Sequence, residues 1–174
     1  PLAGVLVGVH DQPQYGTALT DAVGRFSLPV EGGGLVKLVY RKDGLIRAHR
    51  DLIAEWNEIA AAETVVMIPE DGLATSISLD GNPASVFVHR GSTVTDSSGS
   101  RRATVVITGD TRAYARTEAG ELEITSFELR ATEFDTPESM PAILPPTSAY
   151  TYCVNLSASG LESIRFSKPI LLYV

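Results

Sequence analysis

Hydrophobic and polar residues alternate along most of the chain, and this alternation predicts strands. Over residues 4–10, Val5, Val7 and Val9 share one parity, the period-2 pattern of a strand with one buried face. Residues 15–20 read as a second short strand. Phe26, Leu28 and Val30 alternate next, and Val36, Leu38 and Tyr40 alternate again with Lys37 outward. Turn chemistry separates these runs. Asp21 and Gly24 fit a type I turn, with the Asp side chain as acceptor at its first position and Gly at its exit. Glu31-Gly32-Gly33-Gly34 and Lys42-Asp43-Gly44 mark two more turns. With residues 45–50 and 64–68, these strands make a small antiparallel sandwich.

One stretch breaks the alternation. Residues 51–63 place Leu52, Trp56 and Ile59 at i, i+4 and i+7 behind Asp51. They read either as one or two helical turns capped by Asp51, or as an irregular crossing whose Trp56 plugs the sheet. Pro69-Glu70-Asp71-Gly72 then reads as a boundary, which gives domains over 1–72 and 73–174. Each domain has a small core and gains stability by docking on a neighbour.

The second domain is expected to hold strands at 76–79, 85–89, 91–95, 101–108, 111–116 and 121–131. Asp96-Ser97-Ser98-Gly99-Ser100 and Glu118-Ala119-Gly120 form hairpin loops between them, each with a Gly available for positive φ. Within 121–131 the phase changes. Leu122 and Ile124 share one parity, whereas Phe127, Leu129 and Ala131 share the other. A β-bulge near Thr125 and Ser126 would return both sets to one face. A proline-rich crossing follows, Met140-Pro141-Ala142-Ile143-Leu144-Pro145-Pro146. Proline fixes φ and removes a donor, so 141–146 is extended and lies outside any sheet. Ile143 and Leu144 make it too apolar for an idle linker, so something should cover it. Beyond it, Tyr150, Tyr152, Val154 and Leu156 alternate with Thr151, Cys153 and Asn155, and Ile164 and Phe166 open the last strand.

Composition fits an all-β chain of two small antiparallel domains: 15 Gly and 10 Pro sit among alternating Val and Thr, and 44% hydrophobic content marks a folded protein. A net charge of −7 argues against binding nucleic acid or an anionic membrane through a general field. No apolar run approaches the ~20 residues that span a bilayer, so this segment is not expected to insert into a membrane. The start at Pro1 and the closing run Ile170-Leu171-Leu172-Tyr173-Val174 read as ends cut from something longer. The single cysteine, Cys153, excludes an internal disulfide framework.

Candidate chemistry is sparse. His10, His49 and His89 fall at three strand ends without His-x-His spacing, which suits surface residues better than metal ligands. Cys153 lies on the polar parity of its strand with no His or Lys beside it, as an inert thiol would. Glu118, Glu121, Glu123, Glu128, Glu133, Asp135 and Glu138 invite a calcium reading, but no Asp-x-Asp-x-Asp-Gly loop accompanies them. A solvated face or protected edge explains them better. There is no Gly-x-Ser-x-Gly motif, phosphate loop or zinc pair, and the Gly-rich turn at 31–34 joins strand to strand without a helix N-terminus. No acid, base and nucleophile converge, so the expectation is a non-enzyme without cofactor or metal.

Two stretches resemble known families. Pro1-Leu2-Ala3-Gly4-Val5, Thr20-Asp21-x-x-Gly24-x-Phe26, the Gly-rich turn and Asp43-Gly44 resemble the carboxypeptidase-regulatory or transthyretin-like domain over about residues 1–69. The leading strand with which such domains usually begin is missing from the match. Gly91-Ser92-x-Val94-Thr95-Asp96-x-x-Gly99-x-Arg101-x-Ala103-Thr104, then Arg130-Ala131-Thr132-Glu133-Phe134, the run from Met140 to Tyr152, and Phe166-Ser167-x-Pro169 look like the segment ahead of the shell in bacterial RHS/YD-repeat proteins. Teneurins share that order, a transthyretin-like domain followed by a fibronectin-like plug. The resemblance implies a non-catalytic module that caps or plugs a large RHS/YD-repeat β-shell of the same polypeptide, in a bacterial secreted or toxin-delivery protein that is secreted or at the cell surface; such shells often enclose a C-terminal toxin. Its implied contact residues are Met140, Pro141, Ile143, Leu144, Pro145 and Pro146. The alternative is a carbohydrate- or protein-binding module acting through turn loops or through aromatic faces such as Tyr114 and Trp56.

Overall fold

The structure, a computed structural model, describes residues 1–96, 99–117, 119–134, 136, 139–142 and 152–174. It is all-β with several antiparallel sheets. Two compact units emerge. The first is Pro1–Pro69 together with the described residues of Thr136–Tyr150; the second is Glu70–Asp135 and Thr151–Val174. The cut thus falls between Pro69 and Glu70, and the chain returns to the first unit after 135.

The first unit is built on one sheet, ordered β2-β1-β3-β4, from β1 (Leu6–Val9), β2 (Thr17–Leu19), β3 (Gly34–Arg41) and β4 (Ala48–Ala54). Its registers pair Val7 with Tyr40 and Val36 with Leu52. The predicted alternation therefore lands on one face, where Val5, Val7, Val36, Leu38 and Tyr40 are buried. The Asp21 turn forms as its sequence requires: Asp21 Oδ1 accepts from the N–H groups of Val23 at 2.9 Å and Arg25 at 2.8 Å. Gly24 follows at φ +77°, where a side chain would be strained. Phe26, Leu28, Val30, Val65 and Met67 pack onto the sheet, but their segments belong to no strand, against the expectation for 64–68.

The helical reading of residues 51–63 is overturned. Leu52 sits opposite Val36 in β4, and pairing with β3 claims the segment to Ala54. Trp56 and Ile59, the other members of the helical pattern, are 62% and 100% exposed. Trp56 does not plug the sheet either; its indole lies over Gly33, whose φ of +96° opens the turn into β3.

The second unit has three sheets of three strands, ordered β13-β12-β5, β15-β9-β6 and β11-β10-β14, and a β7-β8 hairpin. Their bounds are β5 Thr75–Ser78, β6 Val86–Arg90, β7 Val94–Asp96, β8 Gly99–Arg101, β9 Thr104–Thr108, β10 Ala113–Thr117, β11 Gly120–Ile124, β12 Ser126–Glu133, β13 Val154–Ala158, β14 Ile164–Phe166 and β15 Leu171–Tyr173. Ile77, Val105, Ile107, Ala113, Phe127 and Leu129 bring all three sheets into one core.

The phase change in 121–131 has a different cause from the one expected. No bulge returns the two sets to one face. At Thr125 the chain leaves one sheet for another: β11 pairs with β10, whereas β12 pairs with β5 and β13. The Thr125 carbonyl accepts the Leu79 N–H at 2.7 Å at the crossing. Leu122 is 59% exposed, whereas Ile124 packs against the same core as the buried Phe127 and Leu129.

Candidate functional site

Strand β4 is the outer strand of the first sheet, so its far side presents backbone groups that need a partner. Near its start, the Ile46 N–H donates to the Ile68 carbonyl at 2.9 Å. Further along, the His49 N–H donates to the Pro141 carbonyl at 2.6 Å. Arg50 secures this second contact. Its Nη1 donates to the carbonyls of His49 at 2.7 Å and Pro141 at 3.2 Å, and its Nη2 to that of Met140 at 3.4 Å. A planar guanidinium with several donors suits three acceptors in one place. Proline accepts from the edge but has no N–H of its own, so it cannot hand the ladder on at that residue.

Two of the six residues expected at a contact surface are therefore located. Met140 is 5% exposed within this chain and Pro141 is half-buried. Ile143, Leu144, Pro145 and Pro146 lie outside the described residues. Arg50 was not singled out by sequence reasoning, although a signal existed. It occupies an inward parity of β4, between Ala48 and Leu52, where a cation needs acceptors when buried.

The histidines divide between the units. His10 and His49 meet edge to face, with ring centroids 5.6 Å apart, because β1 and β4 both flank β3. Burial, then His10 and the cations Arg47, Lys37 and Arg41, lower the His49 pKa. His89 lies in the second unit, fully buried at 0% exposure. Its Nδ1 is 2.9 Å from Thr75 Oγ1, and its Nε2 has no hydrogen-bond partner among the described residues. Burial lowers its pKa, with Asp71 opposing and Arg130 adding to the shift.

Asp71 ties the start of the second unit together. Its carboxylate accepts from the Leu73 N–H, the Ser92 N–H and the Ser92 hydroxyl, at 2.9, 2.6 and 2.7 Å. Its own N–H donates to Thr132 Oγ1, and Arg130 Nη1 donates to its carbonyl, both at 2.8 Å. Burial pushes the carboxyl up, but these donors outweigh it and the pKa is lowered. Several of the other acidic residues face arginine. Glu121 takes Arg165 through both oxygens, at 2.8 and 2.5 Å, and Glu133 lies 2.5 Å from Arg101, which also meets Asp96 at 2.7 Å. Among the described residues no three of His, Cys, Asp and Glu form a group suited to a metal ion. Glu118, Asp135 and Glu138 lie outside them. Cys153 is half-buried, and burial raises its pKa, which disfavours the thiolate.

The Teneurin TTR-like domain family model matches residues 1–67. Residues 1–67 are accordingly similar to a teneurin-type, transthyretin-like domain. No solved structure matches the chain.

Proposed function

We propose that this chain is a non-catalytic structural module that braces or seals one end of a large RHS/YD-repeat β-shell belonging to the same polypeptide, in a bacterial secreted or cell-surface protein. The observation that carries this reading is the teneurin-type match over residues 1–67, followed in the chain by a second all-β unit. The proline crossing supports it. Met140 and Pro141 anchor the crossing on the first unit through Arg50, and Ile143, Leu144, Pro145 and Pro146 continue it as the apolar contact with the shell. An apolar segment poor in donors can close an opening without offering a strand edge.

The test begins with the natural gene product. The expected result is a polypeptide far larger than 18.6 kDa, carrying tyrosine-containing repeats after these residues. In that full-length protein, Ile143→Asp with Leu144→Asp places charge in a buried contact and should speed proteolysis of the shell. A product near 18.6 kDa, or unchanged protease resistance in the variant, overturns the reading.

One observation favours the second reading, a binding module for glycan or a surface protein. The Trp56 ring is exposed over Gly33, as an aromatic platform would be. Tyr114 serves less well, since the Arg165 guanidinium sits 4.4 Å from its ring centre. Glycan-array binding by the chain, lost on Trp56→Ala, would put this reading first.

A further inference from the structure

Three Asp-Gly pairs occur in the chain, at 43–44, 71–72 and 80–81. In such a pair the Gly amide nitrogen can attack the aspartyl carboxyl, because Gly has no Cβ to hinder the approach. The attack needs a carboxyl free to turn toward the main chain, so hydrogen bonds that hold it elsewhere oppose the reaction.

Two of the pairs are held. The Asp71 carboxylate accepts from the Leu73 N–H, the Ser92 N–H and the Ser92 hydroxyl, and Arg130 holds the Asp71 carbonyl. Asp80 accepts from the Asn82 N–H at 3.0 Å through Oδ1 and from the Ser85 hydroxyl at 2.5 Å through Oδ2. Gly81 is engaged as well, its N–H donating to the Gly109 carbonyl at 2.9 Å.

Asp43-Gly44 differs from both. The two residues are exposed, and among the described residues the Asp43 carboxylate and the Gly44 N–H have no hydrogen-bond partner. The neighbouring cation is turned elsewhere, since Lys42 Nζ donates to the Ala3 carbonyl at 2.7 Å. Beside Gly44 the space is open, and an added Cβ would meet nothing within 4 Å. One backbone bond closes the turn, from the Leu45 N–H to the Lys42 carbonyl at 3.0 Å. With Gly44 at φ +75° the turn is type II. A flip of the peptide between Asp43 and Gly44 reaches type I without breaking that bond, so the main chain here can turn as the attack requires.

We infer that Asp43-Gly44, alone of the three pairs, is a site of spontaneous modification, at which water converts the aspartyl link into a β-aspartyl one. The Gly44 nitrogen loses its proton and bonds to Asp43 Cγ, whose hydroxyl leaves as water, and a cyclic imide closes. Water then adds to the ring. Opening on the Cγ side restores Asp43, whereas opening on the main-chain carbonyl side leaves the chain running through Cγ with a carboxylate on Cα. One water leaves and one enters, so the atoms balance without an oxidant or reductant. The product carries one extra main-chain carbon in the connection between β3 and β4.

The test incubates the whole 174-residue chain at neutral pH in water enriched in oxygen-18, once folded and once in guanidinium chloride. Each closure and reopening of the ring leaves one heavy oxygen at that aspartate, read by fragment-ion mass spectrometry. Unfolded, the three pairs should label at similar rates. Folded, Asp43 should label at least about tenfold faster than Asp71 and Asp80, whose donors must first be broken, and the β-aspartyl product should accumulate at 43. Asp43→Asn should quicken the reaction at 43, because ammonia replaces water as the leaving group, and leave the other two sites unchanged. A folded-state rate at Asp43 within that factor of either other site, or no β-aspartyl product at 43, would overturn the proposal.

Discussion

The carbonyl of Pro141 accepts the His49 N–H at 2.6 Å, and there the outer strand of the first sheet meets a residue that cannot donate. The sheet is stopped by chemistry as well as by steric cover. A strand docking on this edge would have to displace Pro141 and the Arg50 bonds that hold it, so the edge is guarded against pairing with other chains.

Arg50→Ala should be the most informative substitution at this edge. Arg50 is 9% exposed, and its loss deprives the carbonyls of Met140 and Pro141 of a donor. Such losses cost roughly 1–3 kcal/mol. A urea denaturation curve should show this cost, while Lys37→Ala, which breaks the exposed Lys37–Asp51 pair at 3.4 Å, should cost under about 1 kcal/mol. Arg50→Lys should recover only part, since an ammonium cannot span three acceptors as a planar fork does. Equal effects at Arg50 and Lys37 would remove Arg50 from this role.

Gly33 and Gly34 make a controlled comparison. At Gly33 an added Cβ would overlap the Trp56 indole, and φ is +96°; at Gly34 a Cβ meets open space. Gly33→Ala should cost about 1–3 kcal/mol through backbone strain and move Trp56 fluorescence as the ring is displaced. Gly34→Ala should stay within about 0.5 kcal/mol of the parent. A neutral Gly33→Ala would mean that the turn has another conformation.

Asp71 sets part of the acid limit of the second unit. Burial raises its pKa, yet the donors of Leu73 and Ser92 bring it below its ordinary value of 3.8. An acid depressed in the fold adds stability above its unfolded value, and that stability is lost as pH falls through the folded value. Stability should therefore drop on acidification below that ordinary value, and Asp71→Asn should flatten this part of the profile. An unchanged slope in the variant would assign the drop to other carboxylates.

His89 acts at higher pH with the same direction. Burial lowers its pKa from 6.5, so below that value the unfolded chain takes up a proton that the buried ring refuses. Stability should fall as pH decreases from 6.5 toward the folded value. His49 is shifted the same way, so the discriminating measurement is an NMR titration of the His89 ring. A midpoint at or above 6.5 would contradict its burial.

Much of the fold was legible because a half-buried strand writes its burial at period 2. Val5 and Val7, Val36 and Leu38, and the Asp21–Gly24 turn needed only local rules. The failures share a non-local cause. Leu52, Trp56 and Ile59 satisfy a helical period by spacing alone, but the register of β3 with β4 decides the structure there. Likewise, nothing local distinguishes a bulge from a change of sheet at Thr125, because both shift the parity by one. At the edge, proline chemistry was readable at Pro141, but its partners His49 and Arg50 lie far back in the chain. The meeting of His10 with His49 required the whole order of the first sheet.

The separation of Arg50 from Pro141, 91 residues, also bears on how the protein is made. When the four strands of the first sheet have emerged from a ribosome, the residues that close β4 have yet to be synthesised. Most of the second unit must be translated first. For that interval the nascent chain carries a finished sheet with an uncovered flank, available to any extended neighbour on the same polysome. Early assembly with late closure makes the speed of translation between Arg50 and Pro141 a determinant of yield, and a pause there would favour misassembly over a single folded product.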